Sequence, residues 1–173
     1  MTEAGEPRRR PVATAADARI WLAEADEAQT VARLLIAFRD DLGYHSPGDE
    51  LFHAVAPRLI DDPSTEFLLG AAHPGAQAVG IVQLRYRLSI WHDGGDCLVE
   101  DVYVEPHARG AGLGRGLVKA ALARARERGC SRAELDVNEA NGPAVALYES
   151  LGFGVKGPHG GRDLYLHRLL DRP

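Results

Sequence analysis

The chain reads VYVEPHARGAGLG from Val102 to Gly114, and this stretch decides how the rest of the fold is interpreted. It alternates at first as a strand does, and a long amphipathic segment, Gly112–Arg128, follows it. A glycine-rich turn between a strand and a helix presents unpaired N–H groups at the positive end of the helix dipole. Such a turn suits a phosphate group, because glycines let the backbone approach a bulky anion.

Two familiar phosphate motifs do not fit this turn. The dinucleotide fingerprint GxGxxG fails in both registers, since Arg115 or Leu117 stands where its third glycine belongs. The P-loop pattern fails as well, because no Gly-Lys-Ser/Thr occurs and Val118 precedes Lys119. If this turn binds phosphate, it must therefore follow a third motif. The alternative is that it merely connects a strand to a helix.

The pattern that remains is R-x-x-G-x-G from Arg109 to Gly114, preceded by V-x-P from Val104 to Pro106. It resembles the acyl-CoA motif of the GNAT superfamily of N-acetyltransferases, which is Arg or Gln, two residues, Gly, one residue, and Gly or Ala. The sequence therefore favours a CoA pyrophosphate as the anion.

A second segment, NGPAVALYESLGF, resembles the later motif of the same family: an Asn, an Ala and a Tyr, closing in Gly-Phe. It runs from Asn141 to Phe153, and its distance from the first motif suits one helix and one strand between them. The resemblance covers roughly residues 19–170. It is specific over 98–153 and topological before that.

Hydrophobic periodicity predicts the other elements of the fold. Helices are predicted from a cap at Asp26 to about Leu42, from a cap at Ser46 or Asp49 to about Ile60, and over Gly112–Arg128 and Pro143–Leu151. Strands are predicted at Arg19–Glu24, Glu66–Ala72, Ala78–Tyr86, Cys97–Val104, Arg132–Val137 and Asp163–Leu169. This order predicts an α/β (α+β) fold, and the resemblance implies that it is the GNAT-like acyl-CoA N-acyltransferase fold. Its mixed, mostly antiparallel central sheet should have about six to seven strands, flanked by about four helices.

The domain organisation is predicted from where the apolar period begins. Residues 1–18 are rich in Ala, Arg, Glu, Pro and Thr and are predicted to form a disordered N-terminal tail. Residues 19–173 are predicted to form a single domain, a length that suits one hydrophobic core, and the resemblance makes it an N-acetyltransferase domain.

The resemblance implies acetyl-CoA as the co-substrate. Backbone amides from Arg109 to Gly114 would hold its pyrophosphate, and the backbone of Val102 and Val104 would pair with the pantetheine arm. The Arg109 guanidinium could add a phosphate contact. Asn141 is a good helix N-cap and could also touch the cofactor arm. The residues assigned to acetyl-CoA are Val102, Tyr103, Val104, Arg109, Gly110, Ala111, Gly112, Leu113, Gly114, Arg115, Asn141, Ala144 and Tyr148.

Acetyl transfer to an amine needs a general acid and a general base. The resemblance makes Tyr148 the acid, because a phenol can protonate the departing CoA thiolate. Deprotonating a primary amine at neutral pH costs about 4.6 kcal/mol, which calls for a base or a water held by one. The segment Val99-Glu100-Asp101 followed by V-x-V resembles polyamine-type members of the family, which makes Glu100 the favoured base and Asp101 the second, unless both are only structural or electrostatic. Strand alternation places them on opposite faces, Glu100 with Val102 and Asp101 with Tyr103, unless a β-bulge disturbs the count.

The acceptor is predicted to be a small-molecule primary amine of the polyamine or amino-sugar type, bound by loops 43–50 and 88–96. Candidate contacts are Tyr44, His45, Asp49, Trp91 and His92, and the acids Asp40, Asp41, Asp49 and Glu50 would suit a cation. A protein lysine or N-terminus is the second option. The alternatives outside the class are an acyl-CoA-binding module without turnover and, more remotely, a nucleotide-binding oxidoreductase. Family members are often homodimers, but no interface signal decides this here.

Composition excludes several other functions. A formal net charge of -5 leaves no basic excess for nucleic acid. No apolar run approaches the roughly 18–20 residues of a membrane span. His45 and His92 lack partners at metal-ligand spacing, so no metal is expected. Cys97 and Cys130 form no CxxC and are predicted to be reduced thiols of a cytoplasmic protein. Neither lies in a nucleophile motif, so direct attack in a ternary complex is expected.

Overall fold

A six-stranded sheet with the spatial order β1-β2-β3-β4-β5-β6 is the framework of the protein. In this computed structural model, the described residues are 11–14, 18–91, 93–155, 161–162, 165–166 and 168. The strands are β1 Pro11–Thr14, β2 Arg19–Leu22, β3 Thr65–Ala71, β4 Gly80–Arg87, β5 Asp96–Val104 and β6 Arg132–Glu134. Neighbours pair antiparallel except β5 and β6, which are parallel. The predicted mixed, mostly antiparallel sheet is confirmed.

The described residues contain four α-helices, the number predicted. They are α1 Ala28–Asp41, α2 Asp49–Ile60, α3 Leu113–Glu127 and α4 Gly142–Glu149. The chain divides into two compact units, residues 1–134 and 135–173, so that α4 belongs to the second. The single domain expected for residues 19–173 stays a prediction.

Within the first unit, the two faces of the sheet carry different helices. Phe67, Leu69 and Ile81 belong to one core cluster with buried residues of α1, and α2 adds to it. The next residues along β3 and β4 point to the opposite face, where Gly70 and Gly80 lie against leucines of α3. The alternation seen in the sequence thus reflects two cores, one on each face.

Several predicted boundaries are wrong. β1 falls inside the predicted tail, because an edge strand is held by backbone hydrogen bonds and needs no apolar period. Asp26 lies in a 3₁₀ turn before α1, and α2 is capped by Gly48 rather than by Ser46 or Asp49. β6 ends at Glu134, three residues early. The strand predicted at Asp163–Leu169 lies outside the described residues.

The C-terminus of α3 is as predicted. Gly129 has φ +78° and follows the C-cap, Arg128. The N–H of Cys130 donates to Ala125 O at 2.9 Å, and that of Gly129 to Arg126 O at 2.9 Å. This is the Schellman arrangement, which glycine permits because it adopts positive φ without strain.

Candidate active site

The turn before α3 has the shape of an anion cradle. Gly110 has φ +82° and Gly112 has φ +86°, values that side chains rarely tolerate. A Cβ at either position would meet no described atom within 4 Å, so there is open space beside both glycines. Gly112 is the N-cap of α3, and as a glycine it has no side chain with which to cap the helix. The first N–H groups of α3 therefore lack an intrahelical acceptor, which fits a pyrophosphate.

The strand leading into the turn offers a free backbone edge. Pairing of β5 with β6 stops at Leu98, so among the described strands β5 continues with β4 alone. The N–H of Glu105 donates to Val79 O, toward β4. Backbone N–H groups alternate in direction along an antiparallel strand. The N–H of Tyr103 therefore also points toward β4, and the N–H groups of Val102 and Val104 point away from it. The backbone N–H groups of these two valines, and the carbonyl oxygen of Val102, are thus the ones available to an extended ligand, since Arg109 Nε donates to Val104 O.

Two residues assigned to the cofactor make other contacts. The ring of Tyr103 is buried against Phe38 of α1, with centroids 5.4 Å apart, and burial, with Asp41 adding, raises the pKa of Tyr103. Arg109 lies on the surface of the turn. Its Nη2 is 2.6 Å from Asp41 Oδ2, and its Nε donates to Val104 O at 2.8 Å. A phosphate contact by Arg109 would therefore compete with Asp41.

A β-bulge in β5 brings the two candidate bases to the same face. Gln83 faces Asp101 and Leu84 faces Val99, which leaves Glu100 as an extra residue between them. Both acids line one pocket together. The predicted opposite placement of Glu100 and Asp101 is therefore wrong, because a bulge shifts the two-residue period by one.

Sequence reasoning missed the side chains that hold Glu100. The amide of Gln83, which is nearly fully buried, donates from Nε2 to Glu100 Oε2 at 2.8 Å. Arg85 Nη1 lies 3.9 Å from the same oxygen. The signal for both was present, since they are the polar members of the alternating face that begins at Ile81.

The acids stand at one side of a pocket of about 500 Å³. α1 and α2 supply its other walls, which are mainly apolar. They include Leu35, Phe38, Leu51, Phe52, Val55 and Leu59. The pocket therefore has a polar strip on the sheet and an apolar wall on the helices.

The residues predicted to contact the acceptor are mostly elsewhere. Tyr44 lines the pocket with Ser46 and Pro47, as the prediction for loop 43–50 requires. Trp91, in contrast, is 88% exposed. His45 is exposed too, and His92 lies outside the described residues.

The acids predicted to attract a cation are largely paired with protein cations. Arg39 Nη2 is 2.6 Å from Asp40 Oδ1, and its Nη1 is 2.8 Å from Asp49 Oδ1. Asp41 is engaged by Arg109 at 2.6 Å. Glu50 is exposed at the start of α2. Glu100 and Asp101, unlike these four acids, line the pocket, so they are the carboxylates that an ammonium group in it could reach.

In the second unit, Asn141 caps α4 by accepting a hydrogen bond from the N–H of Ala144 at 3.3 Å, as its sequence context predicts. Tyr148 is 9% exposed, and its ring meets Phe153 edge-on at 5.9 Å. No described residue hydrogen-bonds its hydroxyl. Burial, with Asp136 adding, raises the pKa of Tyr148 above its usual value, so the phenol keeps its proton at neutral pH.

Other chemistries find little support in the part of the chain that the structure describes. Burial raises the pKa of Cys97 to about 12, which makes it a poor nucleophile. No group of three or more His, Cys, Asp or Glu among the described residues could hold a metal. No described helix is long and apolar enough to cross a membrane.

Comparison with known proteins identifies the family. The model of the acetyltransferase (GNAT) family matches residues 29–153. Mycothiol acetyltransferase of Thermobispora bispora is 52% identical over 64 residues, 35% of this chain and 22% of that protein. Thialysine N-epsilon-acetyltransferase of Sus scrofa is 32% identical over 101 residues, 58% of this chain and 55% of that protein. The chain thus spans about half or less of the length of these relatives.

Solved structures agree with the fold. A crystal structure from Arthrobacter sp. FB24, provisionally described as an acetyltransferase, superposes with a TM-score of 0.80 at 28% identity. The superposition covers 91% of this chain and 99% of the chain in that crystal structure. An aminoglycoside acetyltransferase from an uncultured soil metagenomic sample, solved with sisomicin, has a TM-score of 0.71 at 13% identity. The superposition covers 89% of this chain and 97% of the aminoglycoside acetyltransferase chain. At 13% identity, the likeness shows the fold alone.

Proposed function

Because the chain belongs to the acetyltransferase (GNAT) family, we propose that it is an acetyl-CoA-dependent N-acetyltransferase whose acceptor is a small-molecule primary amine. One observation carries the proposal. The bulge places Glu100 beside Asp101 in the pocket, while the backbone N–H groups of Val102 and Val104 point to the edge of the same strand that no described strand covers. An amine in the pocket would therefore lie beside a thioester held along that edge.

Each part of the site would have its own task. The amides of the turn from Gly110 to Gly114 would bind pyrophosphate, and Val102 and Val104 would hold the pantetheine arm. One of these N–H groups would also polarise the thioester carbonyl, as an oxyanion donor does. Acetyl-CoA would supply the activated acetyl group.

The proton transfers would be divided between two residues. Glu100, oriented by Gln83, would take the proton from the acceptor's ammonium group, directly or through a water. The amine nitrogen would then bond to the acetyl carbon as the C–S bond breaks. Tyr148 would give its proton to the departing thiolate, and its raised pKa keeps that proton available. The N-acetylated amine and free CoA are the products.

The test is release of the CoA thiol from acetyl-CoA across a panel of primary amines, with CoA binding measured in parallel by calorimetry. Tyr148→Phe should lower kcat by about a hundredfold or more while CoA still binds. Tyr165→Phe is the matched control, because Tyr165 is a well-exposed tyrosine of the same unit. CoA binding without release by any amine would instead indicate an acyl-CoA-binding module. Unchanged kcat in Tyr148→Phe would refute the assigned acid.

A further inference from the structure

The pocket beside Glu100 and Asp101 has two chemically different ends. The sheet side is polar and presents the acids together with Gln83. The opposite side is built from α1 and α2, where Leu51 and Phe52 belong to the apolar wall. A ligand that fills the pocket would meet carboxylates at one end and hydrocarbon at the other.

The cations of the pocket argue against a second ammonium group. Arg39 lines the wall with a largely buried side chain, and its guanidinium lies 5.4 Å from the ring centroid of Phe52. Asp40 and Asp49 neutralise it and are therefore engaged. A distal ammonium would have to shed water against an apolar wall or approach the guanidinium group of Arg39, and both are unfavourable.

A polyhydroxylated acceptor fits the wall no better. Each hydroxyl placed against Leu51, Phe52 or Val55 would lose its hydrogen bonds to water without gaining a protein partner. A hydrocarbon or aromatic group would instead bury apolar area against the same side chains. The lining thus favours one amine and one apolar body.

We infer that the acceptor is a monocationic primary amine with an aryl or alkyl body, rather than a polyamine or an amino-sugar. The inference rests on the proposed function. The ammonium group lies at Glu100 and Asp101, where it is deprotonated and acetylated, and the apolar body packs on α1 and α2. Transfer forms the N–C bond, breaks the C–S bond and leaves the apolar body unchanged.

The experiment compares amines that differ in one feature. Hexylamine and hexamethylenediamine share a chain and differ in the second ammonium group; phenylethylamine and glucosamine differ in the body. kcat/KM should be at least about tenfold higher for the apolar member of each pair. A preference for the diamine or for glucosamine would overturn the inference.

A charge placed in the wall gives a second readout. Leu51 is 49% exposed, so Leu51→Glu should fold. It should lower kcat/KM for phenylethylamine by about tenfold and raise that for hexamethylenediamine. Leu166→Glu is the matched control, at a leucine of the second unit that is 85% exposed. Equal effects of the two variants would contradict the assignment of the wall.

Failure of the proposed function is distinguishable from failure of this inference. Calorimetric titration of each amine into the protein with CoA measures the pocket's preference without turnover. Tighter binding of hexylamine than of hexamethylenediamine supports the inference even when no CoA is released. The reverse order refutes it even when acetylation occurs.

Discussion

The substitution Gly80→Ala tests whether the close packing of α3 on the sheet supports cofactor binding. Gly80 begins β4, and α3 crosses it so closely that a Cβ would lie 2.9 Å from Leu117 Cδ1 and 3.2 Å from Leu113 Cδ2. It would also lie 3.4 Å from the carbonyl oxygen of Tyr103. Leu113 is the first residue of α3, directly after the glycine turn.

The magnitude follows from these distances. To reach ordinary contact, the Leu117 methyl group must retreat by about half an ångström. Leu117 is fully buried, and Val118 and Ala121 beside it are buried as well, so little free volume is available. Overpacking of such a core costs about 1–3 kcal/mol. For a chain of this size, about 2 kcal/mol corresponds to a Tm lower by about 4–8 °C.

Two measurements check this prediction. Thermal unfolding followed by circular dichroism should show the lower Tm, and the KM for acetyl-CoA should rise more than kcat falls, because displaced Leu113 shifts the turn. Gly154→Ala is the control, since its Cβ would meet no described atom within 4 Å and its φ is not positive. A Tm equal to that of the wild type would refute the close approach. A lower Tm with unchanged KM would refute its link to the turn.

Three further predictions concern charge and protonation. Asp41→Asn should release Arg109 from its ion pair and tighten CoA binding by up to about fivefold in calorimetry. Arg109→Gln should weaken CoA binding. Weaker CoA binding in Asp41→Asn would show that the ion pair is structural. Since the pKa of Tyr148 lies above its ordinary value of 10.0, kcat should show no falling limb from loss of the acid's proton below about pH 10. If kcat falls at a lower pH and Tyr148→Phe abolishes that fall, the pKa of Tyr148 is not raised. Iodoacetamide at pH 8 should modify Cys130 in the native protein but leave Cys97 unmodified, because a pKa of about 12 leaves roughly one thiolate in ten thousand. Mass spectrometry showing early labelling of Cys97 would disprove its burial.

The fold was predictable where side chains decide it. The apolar stripe of α3 and Gly129 at its end have direct sequence signals, because helical period and positive φ restrict the choice of residue. β1 was missed because its pairing with β2 uses backbone groups that every residue carries. The cap of α2 was missed because Gly48 supplies no side-chain oxygen, while Ser46 and Asp49 both looked suitable.

The candidate site was predictable as a set of residue types and less so as an arrangement. Motif spacing selected Glu100, Asp101 and Arg109, because those positions follow from a resemblance in sequence. Their contacts depend on residues distant in the chain. Asp41, which binds Arg109, is 68 residues away, and Gln83, which holds Glu100, is 17 away. No local pattern encodes such pairs, so only the folded chain shows them.

The bulge in β5 explains how one strand can serve two ligands. In a regular strand, Asp101 and Tyr103 would face α1 while Glu100 faced the α3 core, where a carboxylate would be costly to bury. The bulge places Glu100 beside Asp101 in the pocket, while Val99, the residue before it, stays buried. Beyond the bulge, normal alternation resumes, so that Val102 and Val104 turn their backbone groups to the free edge. The bulge that makes a simple count of alternating residues fail therefore places both carboxylates of the proposed acceptor site next to the strand edge proposed for the thioester.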